Sequence, residues 1–468
     1  MEDIRDLIYA MRAELMVTAI LFLLLILKLG RDMAHDRLLS IVQLLLLVSA
    51  AVSFLPETDG RYFGGMFLTG GLAGFQKGVL ATAVWLISLL FCDWLKRSAH
   101  MTEFLVLMLS SLVGMYFMIS AGHLLMFYLS LELATIPVAA IAAFDLGRRT
   151  SSEGAMKLIL TSGLSSGVLL FGISLMYGAT GSLEFSVLSQ RLDGSGLQIT
   201  AFVFLLSAFA FKLSVVPYHL WTADVYEGSP LPVTAYLSVV SKGAVAFVFT
   251  SLLYRVFAPL DHLWYEMVVV LSVATMVVGN LFALRQDVLK RFLAFSSIAQ
   301  VGFILVAISG QSEASVASVT YFITVYLFSN LAAFGVAAVL EGKGWERISD
   351  LKGLSKSNPL LAWMMALGLF SLAGIPPAAG FFGKLFLIGA GAEKGNWVFI
   401  TIAGLNMIVS LFYYLKVVRA MFMDVPAESS GPVYVPASVR FGLIVCAAGI
   451  ILLGILPWVY RDISALIP

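Results

Sequence analysis

Six residues of this chain have types that do chemistry, in places where such types are expensive. Glu132, Lys157, Lys212, Lys242 and Lys384 fall within apolar runs, and His219 lies close by. A charged side chain at the centre of a membrane helix costs about 2.5–3.5 kcal/mol even on the mild insertion scale. Five left unpaired would cost roughly ten kcal/mol or more. Folding does not require that, so the groups are expected to face one another or a wet cavity and to carry ions. Blander readings exist for some. Lys157 is four residues past Glu153 and could snorkel to the surface. Lys384 follows a glycine in GFFGK and could lie near a loop, and His219 could be a satisfied histidine at a helix end. Lys212, in AFAFKLSVV, has apolar neighbours on all sides and no exit; Lys242 and Glu132 are similarly placed. The chemistry these types offer is proton relay. Desolvation disfavours the charged form of a lysine and a nearby carboxylate restores it, so the geometry of a Glu–Lys pair sets its proton affinity. Neighbouring lysines couple their titrations, and a histidine can bridge a gap.

The elements that hold these residues must be membrane helices. The 468 residues are 60% hydrophobic and 12% charged, with a mean hydropathy of +0.96. A soluble domain is nearer half apolar and a quarter charged. Runs such as Leu38 to Leu55 and Phe441 to Val459 approach the length a bilayer needs. Backbone in lipid must be satisfied within its own segment, and strict apolar/polar alternation is missing, so the spans are helices and not barrel strands. The spacing predicts an all-α polytopic protein of about 14 transmembrane helices, by the ~20-residue criterion. It reads as one membrane domain: helices 1–3 in residues 1–100, a five-helix repeat in 101–258, a second in 259–424 and a last helix in 425–468. With both termini outside, inside loops and helix ends carry roughly 17 Lys and Arg, Arg31 among them, against roughly 8 outside, Lys77 and Arg12 among those. The glycine runs GGM and GGLAG, near Gly64 to Gly74, read as an outside loop. The N-terminus has no cleavable signal pattern, so the first apolar run reads as a retained helix.

A net charge of +1 leaves no nucleic-acid footprint. Cys92 and Cys446 lie far apart in apolar runs and read as buried small residues, with no disulfide framework or metal pair. A faint repeat pairs Phe211-Lys-Leu-Ser-Val-Val-Pro217 with Phe370-Ser-Leu-Ala-Gly-Ile-Pro376, matching Phe, Leu, a branched residue and Pro in one register. Each proline breaks a hydrophobic helix, and paired breaks in matching halves point to a transporter's ion site.

The runs LSLELATIPV (Leu129 to Val138), FKLSVVPYHLWTADVYEGSPLPVTAY (Phe211 to Tyr236), KRFLAFSSIAQVG (Lys290 to Gly302) and SLAGIPPAAGFFGKLFL (Ser371 to Leu387), with the lysine of VVSKGAVA, carry a resemblance. The chain resembles the antiporter-like membrane subunits of type I NADH:quinone oxidoreductase, respiratory complex I, from about Met126 to Tyr414. DVYEG, at Asp224 to Gly228, stands where most of these subunits have a histidine-containing turn, and singles out one branch. The resemblance implies inverted five-helix repeats, about helices 4–8 and 9–13, each with a broken helix. It implies a proton relay: Glu132 on the fifth helix paired with Lys212 on the broken seventh, Lys242 central on the eighth, and Lys384 on the broken twelfth at the exit side. Lys157 and His219 are secondary members, His219 linking Lys212 to Lys242. Gln300 stands where many relatives have histidine, so that link would rely more on water. The resemblance also implies that NADH, FMN, iron–sulfur clusters and quinone belong to partner subunits. The expected partners are a neighbouring antiporter-like subunit, small quinone-side subunits and the lipid bilayer, in a bacterial cytoplasmic membrane with both termini periplasmic. A cation/proton antiporter subunit or a membrane-bound hydrogenase subunit is the alternative, and a structural subunit with relic lysines a third reading.

Overall fold

The computed structural model describes residues 4–30, 33–424, 431–456 and 458–467. Arg31 lies outside the described residues, as do residues 425–430 at the start of the last segment. The spans, in chain order, are α1 (Arg12–Leu29), α2 (His35–Ser53), α3 (Gly71–Leu90), α4 (Met101–Ile119), α5 (Leu124–Ala142) and α6 (Arg149–Thr180). Then come α7 (Gly196–Leu213) and α8 (Leu220–Gly228), the two sides of a break. They are followed by α9 (Leu231–Arg255), α10 (Asp261–Leu284), α11 (Leu289–Ile308) and α12 (Glu313–Glu341). A second break separates α13 (Pro359–Ala373) from α14 (Ala379–Ala392), and α15 (Trp397–Phe422) and α16 (Ala437–Ile455) complete the set.

The chain is an all-α polytopic membrane protein. Among the described residues twelve helices are long and apolar enough to cross a membrane, or thirteen if Ile4–Ala10 and α1, bent by 77°, count as one span. The expected fourteen needs α13 and α14, each too short alone, to act as halves of one more crossing. The most deeply buried spans are α9, α11 and α12, apolar nearly all round because protein surrounds them. Outer spans such as α1 and α15 bury one stripe and leave residues such as Phe22, Ile26, Ile408 and Phe412 exposed on the other side.

Both breaks close the same way. α7 ends at Ser214 (φ 64°) and α13 at Gly374 (φ 84°), each in the left-handed region. After each, an N–H reaches back five residues: Val215 to the Ala210 carbonyl and Ile375 to the Phe370 carbonyl. Ser214 therefore corresponds to Gly374, and Pro217 to Pro377. The register read from Phe, Leu and Pro identities, which paired Pro217 with Pro376, is off by one residue. Helix termination is decided by which residue takes the left-handed conformation, and glycine takes it most cheaply. In the corrected register Asp224 and Lys384 occupy equivalent places, seven residues after Pro217 and Pro377.

The glycine runs need correction too. Gly64 and Gly65 turn between two short antiparallel strands, Gly60–Tyr62 and Phe67–Thr69, but from Gly71 onward the chain is helix α3. A side chain at Gly74 would meet the Glu57 carboxylate at 2.8 Å, and one at Gly78 would meet the Phe54 ring at 2.8 Å. These glycines let the loop after α2 lie flat on α3. Lys77, counted among the outside charges, is buried in α3 with 1% of its side chain exposed. Arg12 is likewise tucked in, with Nε on the Val52 carbonyl at 3.1 Å.

Burial against α3 pushes the Glu57 carboxyl up to about 7 from 4.5, partly opposed by Lys77 and Arg12. The folded state then holds a proton that the unfolded chain releases. Stability from this group is full below about 4.5 and is lost as pH rises through about 7. Thermal unfolding of the purified complex, followed through this chain, is expected to show a stability loss from about pH 5 to about pH 8 that is smaller in Glu57→Gln.

Candidate functional site

Lys212 is one residue from the end of α7, where the last carbonyls of the helix have no partner within it. Its ammonium donates to Thr135 Oγ1 on α5 at 2.7 Å and to Ser162 Oγ on α6 at 2.8 Å. Thr135 is three residues past Glu132 and shares its helix face. The charge of Glu132 acts on Lys212. Among the described residues, however, no ion pair within 4.0 Å joins the two, and one Glu132 carboxylate oxygen is buried without a hydrogen bond. The hydroxyl of Thr135 takes the place next to the ammonium.

Lys157, on α6, is part of a different constellation. It contacts Glu153 at 2.8 Å and Asp224 at 2.8 Å. Asp224 also meets Arg291 of α11 at 3.0 Å, and Arg291 meets Glu227 at 2.7 Å. The two carboxylates of DVYEG, three residues apart on one face of α8, thus tie α6 to α11 across the two halves of the chain. His219 sits just before α8, buried, with Nδ1 unpartnered. Among the described residues no hydrogen bond joins it to Lys212 or to Lys242.

Lys242 begins the regular part of α9. The five residues before it, Leu237–Ser241, are wound one residue wider than an α-helix, a local form common at functional sites. Its ammonium donates to Ser297 Oγ on α11 at 2.8 Å and lies 5.3 Å from the Tyr226 ring centre. Ser238, one turn earlier, meets the Tyr326 hydroxyl at 2.9 Å and accepts from Asn330 Nδ2 at 2.6 Å. A cavity of about 10 Å³ lies among Ser238, Lys242, Ser297, Gln300 and Tyr326. That is close to the least room that holds one water, which would meet these polar groups at the edge of a lining otherwise made by Val301, Ile304 and Ile323.

Gln300 forms the far wall of this cavity. Its Nε2 donates to the Leu372 carbonyl at 3.0 Å and to the Tyr414 hydroxyl at 2.9 Å, while Oε1 has no partner in the protein. Leu372 belongs to the last turn of α13, so its carbonyl is free because the helix breaks. The next carbonyl, of Ala373, accepts from Lys384 at 3.4 Å, and Ser410 Oγ accepts from the same ammonium at 3.4 Å. Lys384 is fully buried and lies 4.8 Å from the Phe303 ring centre. Lys242, Ser297, the cavity, Gln300, two carbonyls of the break and Lys384 therefore form one polar run through an apolar interior. Lys212 and its hydroxyls stand apart from it by at least one unbridged gap.

Sequence reasoning missed Ser297, Tyr326, Asn330 and Tyr414. A signal existed: Ser296, Ser297 and Gln300 are the polar residues in the apolar stretch of α11, and they share a face. Replacing Gln300 by leucine is expected to slow proton translocation roughly tenfold, the order of one lost hydrogen bond at about 1.4 kcal/mol. Gln300→His is expected to retain most of it. Proton uptake by vesicles at matched assembly checks both. Among the described residues no group of three or more His, Cys, Asp or Glu is placed to hold a metal ion.

Residues 121–410 match the family model described as NADH:quinone oxidoreductase/Mrp antiporter, transmembrane. A relative from Phocaeicola vulgatus, named NADH-quinone oxidoreductase subunit N, is 44% identical over 459 residues, covering 97% of both chains. A chain of respiratory complex I from Thermus thermophilus, solved with bound aureothin, superposes with a TM-score of 0.80 at 29% identity, covering 95% of this chain and 97% of that one. A chain of the Mrp complex from Dietzia sp. DQ12-45-1b shares the fold, with a TM-score of 0.87 at 20% identity over 98% of this chain and 96% of that one. The branch that DVYEG singles out is therefore subunit N, and the chain belongs to the antiporter-like membrane subunit family of NADH:quinone oxidoreductase, respiratory complex I.

Proposed function

We propose that this chain moves protons across the membrane by a relay of Glu132, Lys212, Lys242 and Lys384, with Lys157 and His219 as secondary members. The observation that carries the reading is the polar run from Lys242 to Lys384 through helices that are otherwise apolar. A proton on Lys242 is handed through Ser297 and the cavity water towards Gln300. Gln300 orients water but holds no charge. The proton arrives on neutral Lys384, which becomes an ammonium as Lys242 becomes an amine, so charge is conserved at each step. Glu132 biases Lys212 from one turn below Thr135. Its approach favours the ammonium and its withdrawal favours release. The neutral hydroxyls of Thr135 and Ser162 hold Lys212 without fixing its protonation state.

In this reading the chain contributes no redox chemistry. NADH, FMN, the iron–sulfur clusters and quinone are held by partner subunits, which supply the energy. The chain lies in the bacterial cytoplasmic membrane with both termini periplasmic, beside another antiporter-like subunit and small quinone-side subunits. The fold groups into residues 1–100, two inverted repeats at 101–258 and 259–424, and 425–468, with α7/α8 and α13/α14 as the broken helices. Inverted membrane vesicles containing the complex should take up protons when NADH is added and not when a sodium gradient alone is imposed. Uptake driven by the sodium gradient, with no response to NADH, would move the chain to the cation/proton exchangers.

A further inference from the structure

A second set of buried charges lies outside this relay, at the outer end of α1 and α3. Glu14 and Lys77 are 2.6 Å apart, each with 1% of its side chain exposed. The other Glu14 oxygen has no partner at all. Glu57, in the loop after α2, adds a third ionisable group with 5% of its side chain exposed. Its carboxylate lies over Gly74, 3.9 Å from Arg12 Nη1. Arg12 gives it charge at 3.9 Å but no hydrogen bond; the guanidinium donates to the carbonyls of Tyr9, Val52 and Leu55. Beside the cluster the Tyr116 hydroxyl is fully buried, and the charge of Glu14 acts on it. Two carboxylates thus draw on one buried lysine, Glu14 in direct contact and Glu57 through its field. A stable structural ion pair satisfies its spare lone pairs with hydrogen bonds; this one does not.

Asp59, two residues along the loop and within the field of Glu57, lines two clefts of about 220 and 700 Å³ at the same end of the molecule. We infer that Glu57, backed by the Glu14–Lys77 pair, is an exchangeable proton-binding site that opens to the outer clefts and is separate from the Lys242–Lys384 run. The step is a simple transfer: the Glu57 carboxylic acid gives its proton to cleft water beside Asp59, leaving a carboxylate and a hydronium ion. Protonated Glu57 leaves Lys77 to Glu14 alone, and ionised Glu57 competes for it. The groups that set its proton affinity are Arg12 and Glu14 on α1, Lys77 on α3 and Asp59 in its own loop. Burial raises it to the neutral range, where loading and release are both available. The inference deepens the proton-translocation reading and rests on it for the site's use.

Infrared difference spectroscopy of the assembled complex in nanodiscs tests it, with pH stepped through neutrality and NADH-driven proton uptake measured on the same preparation in vesicles. The parent is expected to show a carboxylic-acid band that titrates near neutrality and is missing in Glu57→Gln. In Glu14→Gln, which frees Lys77 for Glu57, the midpoint should fall by about one unit, a tenfold weaker hold on the proton. A band unchanged in Glu57→Gln, or a midpoint that does not move in Glu14→Gln, overturns the site. A parent that titrates as described but takes up no protons on NADH keeps the site and removes the transport reading instead.

Discussion

Replacing Lys242 by methionine is expected to cut NADH-driven proton uptake at least tenfold while leaving the complex assembled. Methionine keeps nearly the same length and volume, so the packing around α9 survives. What is lost is the lysine at the cavity, and with it a charge-assisted bond to Ser297 worth about 1.5–3 kcal/mol. Ser297 does not become an orphan, since Ser238 Oγ lies 3.5 Å away. No carboxylate is left unpaired either, because none lies within ion-pair distance of Lys242 among the described residues. Removing an uncompensated buried charge costs little stability and can raise it. Assembly, followed by the amount of intact complex on a native gel, should therefore match the parent. If the lysines were relics of a structural subunit, uptake would be unchanged as well.

The second large effect concerns the break that exposes the carbonyls. Gly380, in the first turn of α14, donates its N–H to Ser371 Oγ at 3.1 Å. A methyl group added there would lie 1.8 Å from the Ser371 carbonyl oxygen, so the backbone itself must move. Gly380→Ala is expected to destabilise the chain by on the order of 3 kcal/mol, the upper range for overpacking. It should also push α14 off α13, carrying Lys384, one turn further on, away from the Ala373 carbonyl. Complex yield, thermal stability and proton uptake should all fall. Gly389→Ala is the control on the same helix. Nothing lies within 4 Å of a methyl group at that position, so it is expected to be neutral or slightly stabilising through helix propensity. Equal behaviour of the two variants would mean that the halves of the break do not meet as described.

The helices and their places were legible in the sequence because length and hydropathy alone decide what spans a bilayer. The central lysines were legible for the same reason: a charge in the middle of AFAFKLSVV has nowhere to go. The partners of those lysines were not. Thr135, Ser162 and Ser297 are hydroxyls among many in the chain, and only packing tells which of them meets an ammonium. The break register was misread because Pro376 and Pro377 are adjacent and identity matching chose the first, whereas the left-handed turn at Gly374 selects the second. The Glu14–Lys77 pair was missed because both residues lie near helix ends. There a charge ordinarily reaches water, and the glycines beside Lys77 looked like loop rather than a surface for Glu57 to lie on. Lys157 was read as a secondary member of the relay. Its ion contacts join it to Asp224, whose role was hidden inside a motif noted only as a family mark.

The most direct test of the relay is NADH-driven proton uptake by inverted membrane vesicles, comparing the parent with Lys212→Ala at matched assembly and expression. Lys212 is the group that Glu132 biases, and the relay predicts that uptake and quinone-linked turnover fall together while the complex stays intact. A Lys212→Ala variant that pumps as the parent does would contradict the account at its centre.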